Sequence, residues 1–415
     1  MRQAEDVSDI KQEVDPGDVG FDAERLRRID THFQRYVDDG RLAGYLVAVA
    51  REGQVAHLAT YGQRDMENNQ PVELDTLWRI FSMTKPITSV AAMMLYEEGA
   101  FELKDPVSKF IPSFADTKVY RSGSAVNPVL EPQTEPMRIW HLLTHTSGLT
   151  YGFHHAHPVD AMYRAGGFEW GNPPGENLEQ ICERFAAFPL LFQPGSEWNY
   201  GVSTDVLGRV VEVASGQTLD KFFQERIFDP LGMTDAAFYA KDVDRLAALY
   251  VPTPGTQKAM RMDAMGEAAK AKPDYLSGGG GLVASAADYH RFNTMLLNGG
   301  ELDGVRLLGT RTVDYMAQNH LPGHQDLEQF GRPLFAETSF TGVGFGLGFS
   351  VVEDNVANKV LSSIGEFAWG GAASTAFWVD PLEEITVLFM TQLLPSSTHP
   401  IRPQLKQLVY QALVD

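Results

Sequence analysis

Apolar residues recur at helical spacing near the start of the chain. Leu26, Ile29, Phe33 and Val37 share one face, Asp22 stands where an N-cap belongs, and Gly40 can close the helix. Two apolar runs follow at 45–50 and 55–61. They flank residues 51–54, whose Gly53 suits a tight turn, so the segment reads as a hairpin. The far end mirrors this order. Runs at 374–379 and 384–390 flank a turn at Asp380-Pro381. A last helix carries Leu405, Leu408, Val409, Ala412 and Leu413. Helix and hairpin in front, hairpin and helix behind, predict one antiparallel sheet built from both chain ends and flanked by helices, an α+β architecture. Between them, helical patterns at 178–188, 202–214 and 219–228 alternate with Pro/Gly-containing loops. The expected organisation is a tail over 1–20, a discontinuous α/β sheet domain over 21–99 and 271–415, and a mostly helical domain over 100–270. A cleft between lobes is the default place for a site.

The length of 415 residues predicts two lobes, or one domain with a large insertion. With 44% hydrophobic and 21% charged residues the chain is ordinary globular material. The net charge of −20 has the wrong sign for neutralising nucleic-acid phosphates or docking on an anionic membrane. No apolar run approaches the ~20 residues of a membrane span. The acidic, polar N-terminus lacks a basic segment followed by an apolar one, so the expected location is the cytoplasm. Cys182, the single cysteine, can form no intrachain disulfide and reads as a small buried hydrophobe. Oligomeric state leaves no mark in the sequence.

The strongest chemistry lies in Phe81-Ser82-Met-Thr-Lys85-Pro86. A serine and a lysine three apart share one helical face, so hydroxyl and amine can touch. Such pairing activates a weak alcohol nucleophile. At a helix N-terminus, unpaired N–H groups can also stabilise an oxyanion. An N-cap serine beside a solvated lysine would show the same spacing, so the neighbouring segments matter. They are Trp140-His-Leu-Leu-Thr-His-Thr-Ser-Gly-Leu149, Trp198-Asn-Tyr200-Gly-Val202, Ser277-Gly-Gly-Gly-Gly-Leu282 and Trp369-Gly370-Gly371-Ala372.

With these motifs in this order over residues 20–415, the chain resembles the serine hydrolases of the class C β-lactamase fold, and within them the family VIII carboxylesterases. The resemblance implies that Ser82 is the acylated nucleophile and that Lys85 and Tyr200 complete the triad. It puts the oxyanion hole on the backbone N–H groups of Ser82 and Ala372. Trp369, Gly370 and Gly371 would lie on the strand lining the site. It implies no cofactor and a small-molecule ester of short acyl chain as substrate. The rivals are a β-lactamase or D-amino-peptide hydrolase, or an acyltransferase, using the same triad.

Two departures from the lactamase pattern favour a neutral ester. Tyr200-Gly-Val202 lacks the amide of Tyr-x-Asn, with Ser203 one position off. Trp369 replaces a cationic lysine with an indole that offers apolar surface and one N–H donor. Tyr151, Phe153, Trp170, Trp198 and Phe367 are candidates for an acyl pocket. His154, His155 and His157 read as a polar loop rather than a metal site, and His141 and His145 as satisfied structural histidines. Ser147 belongs to a turn, and Asp205 is expected to hold its local helix. The glycines 278–281 suit a close backbone approach beside the site. No Gly-x-Ser-x-Gly is present, which argues against an α/β-hydrolase elbow.

Overall fold

A computed structural model of the chain describes residues 10–332 and 340–414. Residues 1–9 of the expected tail lie outside that description. The rest of it is docked rather than loose. Ile10 and Val19 are buried, the Glu13 N–H donates to the Val55 carbonyl at 2.8 Å, and Pro16–Val19 forms a 3-10 turn capped by Asp15.

Among the described residues, eight antiparallel strands make the central sheet. They are β1 (Gly44–Arg51), β2 (Gln54–Asp65), β3 (Gln70–Pro71), β4 (Val343–Phe345), β5 (Ser350–Val352), β6 (Phe367–Gly370), β7 (Ala376–Asp380) and β8 (Ile385–Met390). Their spatial order is β4-β5-β6-β7-β8-β1-β2-β3. The two chain ends meet at β1 and β8, where Leu46 faces Met390 and Val47 faces Phe389. Glu52 (φ 55°) and Gly53 (φ 76°) both take left-handed geometry in the first hairpin, the turn that matches strand twist.

Both faces of β1 are covered, which is why it reads as a continuous apolar run rather than an alternation. Tyr45, Val47 and Val49 pack under α1 (Ala23–Asp38) and the C-terminal helix, whose Ile401, Leu405 and Val409 are buried. Asp22 caps α1 as expected, its carboxylate accepting the Glu24 and Arg25 N–H groups. Tyr36 is the fourth buried position of α1, with Val37 half-buried.

Leu46, Ala48 and Ala50 face the larger core. It runs without a break through α2 (Thr84–Glu97), α3 (Leu178–Ala187), α4 (Ser203–Ser215) and α5 (Ala286–Leu297). Cys182 is fully buried on α3, and burial pushes its thiol well above the usual range. The C-terminal helix is α6 (Ile401–Tyr410).

The middle of the chain is less purely helical than expected. It also holds the hairpins Val119–Ser124 with Asn127–Glu131 and Tyr250–Pro252 with Ala259–Arg261. Most of the first is exposed, with Val119 its one buried position, so no apolar alternation marks it in the sequence. The helix expected over 219–228 divides into Leu219–Phe223 and a π-turn, Gln224–Phe228. Among the described residues, no helix is long and apolar enough to cross a membrane.

Candidate active site

Ser82 sits in a 3-10 turn, Phe81–Met83, that leads directly into α2. Phe81, immediately before it, has φ 43°, a left-handed conformation that costs a non-glycine residue free energy and clusters at functional turns. Its surroundings hold it there. The Ile80 N–H donates to the Leu282 carbonyl at 3.0 Å, the Leu282 N–H donates to Thr84 Oγ1 at 3.1 Å, and the Tyr289 hydroxyl donates to the Met83 carbonyl at 2.9 Å. Pro86 falls in the first turn of α2, where a missing N–H leaves no bond unmade.

Lys85 is almost fully buried, in the first turn of α2 and one turn on from Ser82. Its Nζ donates to Ser82 Oγ at 3.2 Å, to the Tyr151 hydroxyl at 3.1 Å and to the Gly279 carbonyl at 2.7 Å. A solvated lysine is thereby excluded. The side chain lies in the interior, pointed at the serine.

The two tyrosines meet Lys85 differently. Tyr151 presents its hydroxyl, whereas Tyr200 presents its ring, with Nζ 4.5 Å from the ring centroid. The rings lie 5.4 Å apart, edge to face. Gly201 makes this neighbourhood possible, because a Cβ there would come within 2.5 Å of the Leu149 carbonyl oxygen. Burial raises the Tyr151 phenol well above its usual range, with Tyr200 and Asp205 adding to the effect. The Tyr200 hydroxyl oxygen accepts the indole N–H of Trp369 at 3.2 Å.

Trp369 and Gly370 end β6, and Gly371 follows at the strand edge. A Cβ on Gly371 would lie 2.5 Å from the Ile80 carbonyl oxygen and collide with Thr375 Oγ1. The strand edge therefore touches the backbone just before the nucleophile turn, and only glycine permits it. On the opposite face, Arg402 of α6 donates to the Gly371 and Thr375 carbonyls, both at 3.1 Å.

These residues open onto one cavity of about 700 Å³. Ser82, Tyr151, Phe153, Tyr200 and Trp369 line it, and so do Gly370, Gly371 and Ala372. Aromatic rings run outward from the tyrosine pair. Tyr151 stacks on Phe153, and Phe153 on the half-exposed Trp170, each at 4.7 Å. Trp198 and Phe367 are core residues instead, each 1% exposed and outside the cavity wall.

The other expectations divide. His141 is a satisfied structural histidine. Its Nδ1 accepts the Arg138 N–H at 2.9 Å, and burial, with Arg138 adding, pulls it down to about 3. His145 is only half satisfied, because its Nδ1 has no partner among the described residues while Nε2 faces Thr204 Oγ1 at 3.5 Å. His154 meets the Tyr200 carbonyl, His155 meets Glu169, and His157 caps the helix Pro158–Ala165. Ser203 cannot replace the missing amide of the tyrosine motif, since its hydroxyl is buried against Ser147 at 2.8 Å. Asp205 does not cap its own helix but reaches across to the glycine turn 277–281. The hydroxyl of Tyr151 on Lys85 was not legible in the sequence. No local spacing announces it, because Tyr151 lies 66 positions from Lys85.

A two-sided antiparallel sheet, with a Ser-x-x-Lys turn packed against the end of one of its inner strands, defines a β-lactamase-like fold. Residues 29–411 match the sequence model of the Beta-lactamase family, and the chain belongs to that family. Esterase EstB of Burkholderia gladioli is 31% identical over 397 residues, spanning 91% of this chain and 93% of EstB. Lovastatin esterase of Penicillium rubens is 32% identical over 370 residues, spanning 85% and 89% of the two chains. The solved structure of EstCE1, described as a hydrolase with promiscuous acyltransferase activity, matches with a TM-score of 0.80 at 29% identity. It spans 93% of this chain and 99% of EstCE1. The chain is a carboxylic ester hydrolase of the serine β-lactamase type, like the family VIII esterases.

Proposed function

We propose that the chain hydrolyses short-chain carboxylic esters through an acyl-enzyme on Ser82, with Lys85 and Tyr200 moving the protons. The observation that carries this reading is the Lys85 Nζ, buried and 3.2 Å from Ser82 Oγ at the wall of a cavity. Ser82 Oγ attacks the ester carbonyl and its proton passes to the lysine–tyrosine group. The tetrahedral oxyanion is met by the N–H groups of Ser82 and Ala372. Collapse expels the alcohol with that proton, and water then releases the acid by the same route in reverse. Tyr151, its phenol held neutral by burial, keeps Lys85 in place rather than serving as the base.

An ester is favoured over a lactam because the one N–H of Trp369 is committed to Tyr200. It cannot replace the cation that a lactam carboxylate requires. The cavity falls in the range of pockets for drug-sized ligands, so the volume beyond a short acyl chain is assigned to the alcohol.

The test is hydrolysis of p-nitrophenyl butyrate and of a chromogenic cephalosporin, each with wild type and Ser82→Ala. Ester turnover that disappears in the variant, with little lactam turnover, is the expected result. Dominant lactam turnover would overturn the reading. A second reading, acyl transfer, draws on the description of EstCE1. Adding an acceptor alcohol decides it, since a transferase yields the new ester in preference to free acid.

A further inference from the structure

Lys85 is aimed by a carbonyl, and that carbonyl belongs to a residue with no conformational preference of its own. Gly279 lies within the run 278–281, where φ and ψ are free of Cβ restraint. Something outside the turn has to set the direction of its C=O. Thr88 of α2 holds one side, donating to the Gly278 carbonyl at 2.7 Å. Asp205 of α4, 2% exposed, holds the other. Its Oδ1 accepts the Ser277 hydroxyl at 2.5 Å and the Gly279 N–H at 3.1 Å. Ser277 in turn closes the loop, its carbonyl accepting the Gly281 N–H at 2.9 Å. The contact is close enough to demand glycine. A Cβ on Gly279 would stand 2.5 Å from Asp205 Oδ2, and one on Gly278 would stand 2.8 Å from the Thr204 carbonyl.

We propose that Asp205 is the positioning residue for Lys85. By gripping the Gly279 N–H and the Ser277 hydroxyl it fixes the Gly279 carbonyl, which directs Nζ to Ser82 and Tyr151. The inference rests on the roles given above to Ser82 and Lys85. Charge suits the grip, because bonds to a carboxylate are the stronger kind and a buried carboxylate needs them. Without the grip, a Lys side chain with four rotatable bonds keeps only the two hydroxyl partners, which can turn with it, and no fixed backbone acceptor holds Nζ in line with the serine.

The experiment compares wild type, Asp205→Ala and Asp205→Asn in steady-state hydrolysis of p-nitrophenyl butyrate, with crystal structures of wild type and Asp205→Ala. Asp205→Ala is expected to lower kcat by about 10- to 100-fold with KM little changed, the pattern of lost alignment rather than lost binding. Asp205→Asn restores most of that loss, because an amide oxygen accepts the same two bonds. In the Asp205→Ala crystal the Gly279 carbonyl turns away from Nζ. An unchanged kcat in Asp205→Ala, or an Asn variant as slow as the Ala variant, overturns the proposal. So does a crystal in which the carbonyl stays on Nζ. If Asp205→Ala does not fold, Ser277→Ala removes one arm of the grip and is expected to lower kcat by about 3- to 10-fold, with no loss counting against the idea. A wild type inert toward esters refutes the functional reading, while the crystallographic comparison still decides the grip.

Discussion

Tyr151 and Tyr200 differ in what their hydroxyls touch, and that difference can be measured. Lys85→Ala and Tyr200→Phe are each expected to lower kcat/KM on p-nitrophenyl butyrate by about 10²–10⁴, the usual scale for lost proton transfer. Tyr151→Phe, which removes one of three acceptors around Lys85, should cost about 10-fold. The reverse ranking would move the base to Tyr151. Trp369→Ala should change the ranking of p-nitrophenyl esters of different chain length more than it lowers the best rate. An unaltered ranking would remove Trp369 from the pocket. At this scale the contact of Lys85 with Ser82 was readable because a three-residue spacing survives in one dimension, whereas Tyr200 entered only through the family resemblance. The hydroxyl of Tyr151 on Lys85 and the reach of Asp205 to Gly279 were not, since each bond joins segments distant in the chain.

Strand β6 and the nucleophile turn are coupled through Gly371. Gly371→Ala forces the strand edge off the Ile80 carbonyl or the turn off the strand. A misplacement of about 1 Å can cost on the order of 10²-fold in rate, against a stability loss of about 1–3 kcal/mol for such overpacking. The expected outcome is a folded enzyme by circular dichroism whose kcat has fallen by that factor. Normal turnover would separate the strand edge from the site. The two terminal hairpins could be read from continuous apolar runs. The hairpin Val119–Ser124 with Asn127–Glu131 could not, because strands exposed over most of both faces carry no hydrophobic period.

Over the whole molecule, burial sets the acid sensitivity of the fold. His141 is neutral in the native state down to about 3, whereas an unfolded chain protonates it near 6.5. Unfolded chains therefore bind the extra proton between those values, and stability from this group is lost as pH falls through that window. The slope is up to about 1.4 kcal/mol per pH unit. Asp288, raised to about 7 by burial, acts with the opposite slope, so the difference between variants is the useful quantity. Urea midpoints measured from pH 7 to pH 4 should fall less steeply for His141→Gln than for wild type. Parallel curves would mean that His141 does not report the burial seen here. The C-terminal helix offers a second test. Glu366, fully buried beside β6, meets Lys406 and Tyr410 of α6. Lys406→Met leaves that carboxylate without its cation and should destabilise the protein by about 3 kcal/mol in urea unfolding. A change below 1 kcal/mol would show the pair to be dispensable, on the order expected for a surface pair.

The sequence by itself determined the sheet from both chain ends, the Ser82/Lys85 pair, the order of the motifs and the exclusion of an intrachain disulfide. These follow from local periodicity, local spacing and composition, which need no third dimension. Only the tertiary structure decided which tyrosine hydroxyl meets Lys85, which aromatics line the cavity and which are core, and what fixes the glycine turn. Those contacts depend on how α2, α4 and β6 approach one another. That approach is set by packing of side chains and bare glycine backbone between segments separated by tens to hundreds of residues.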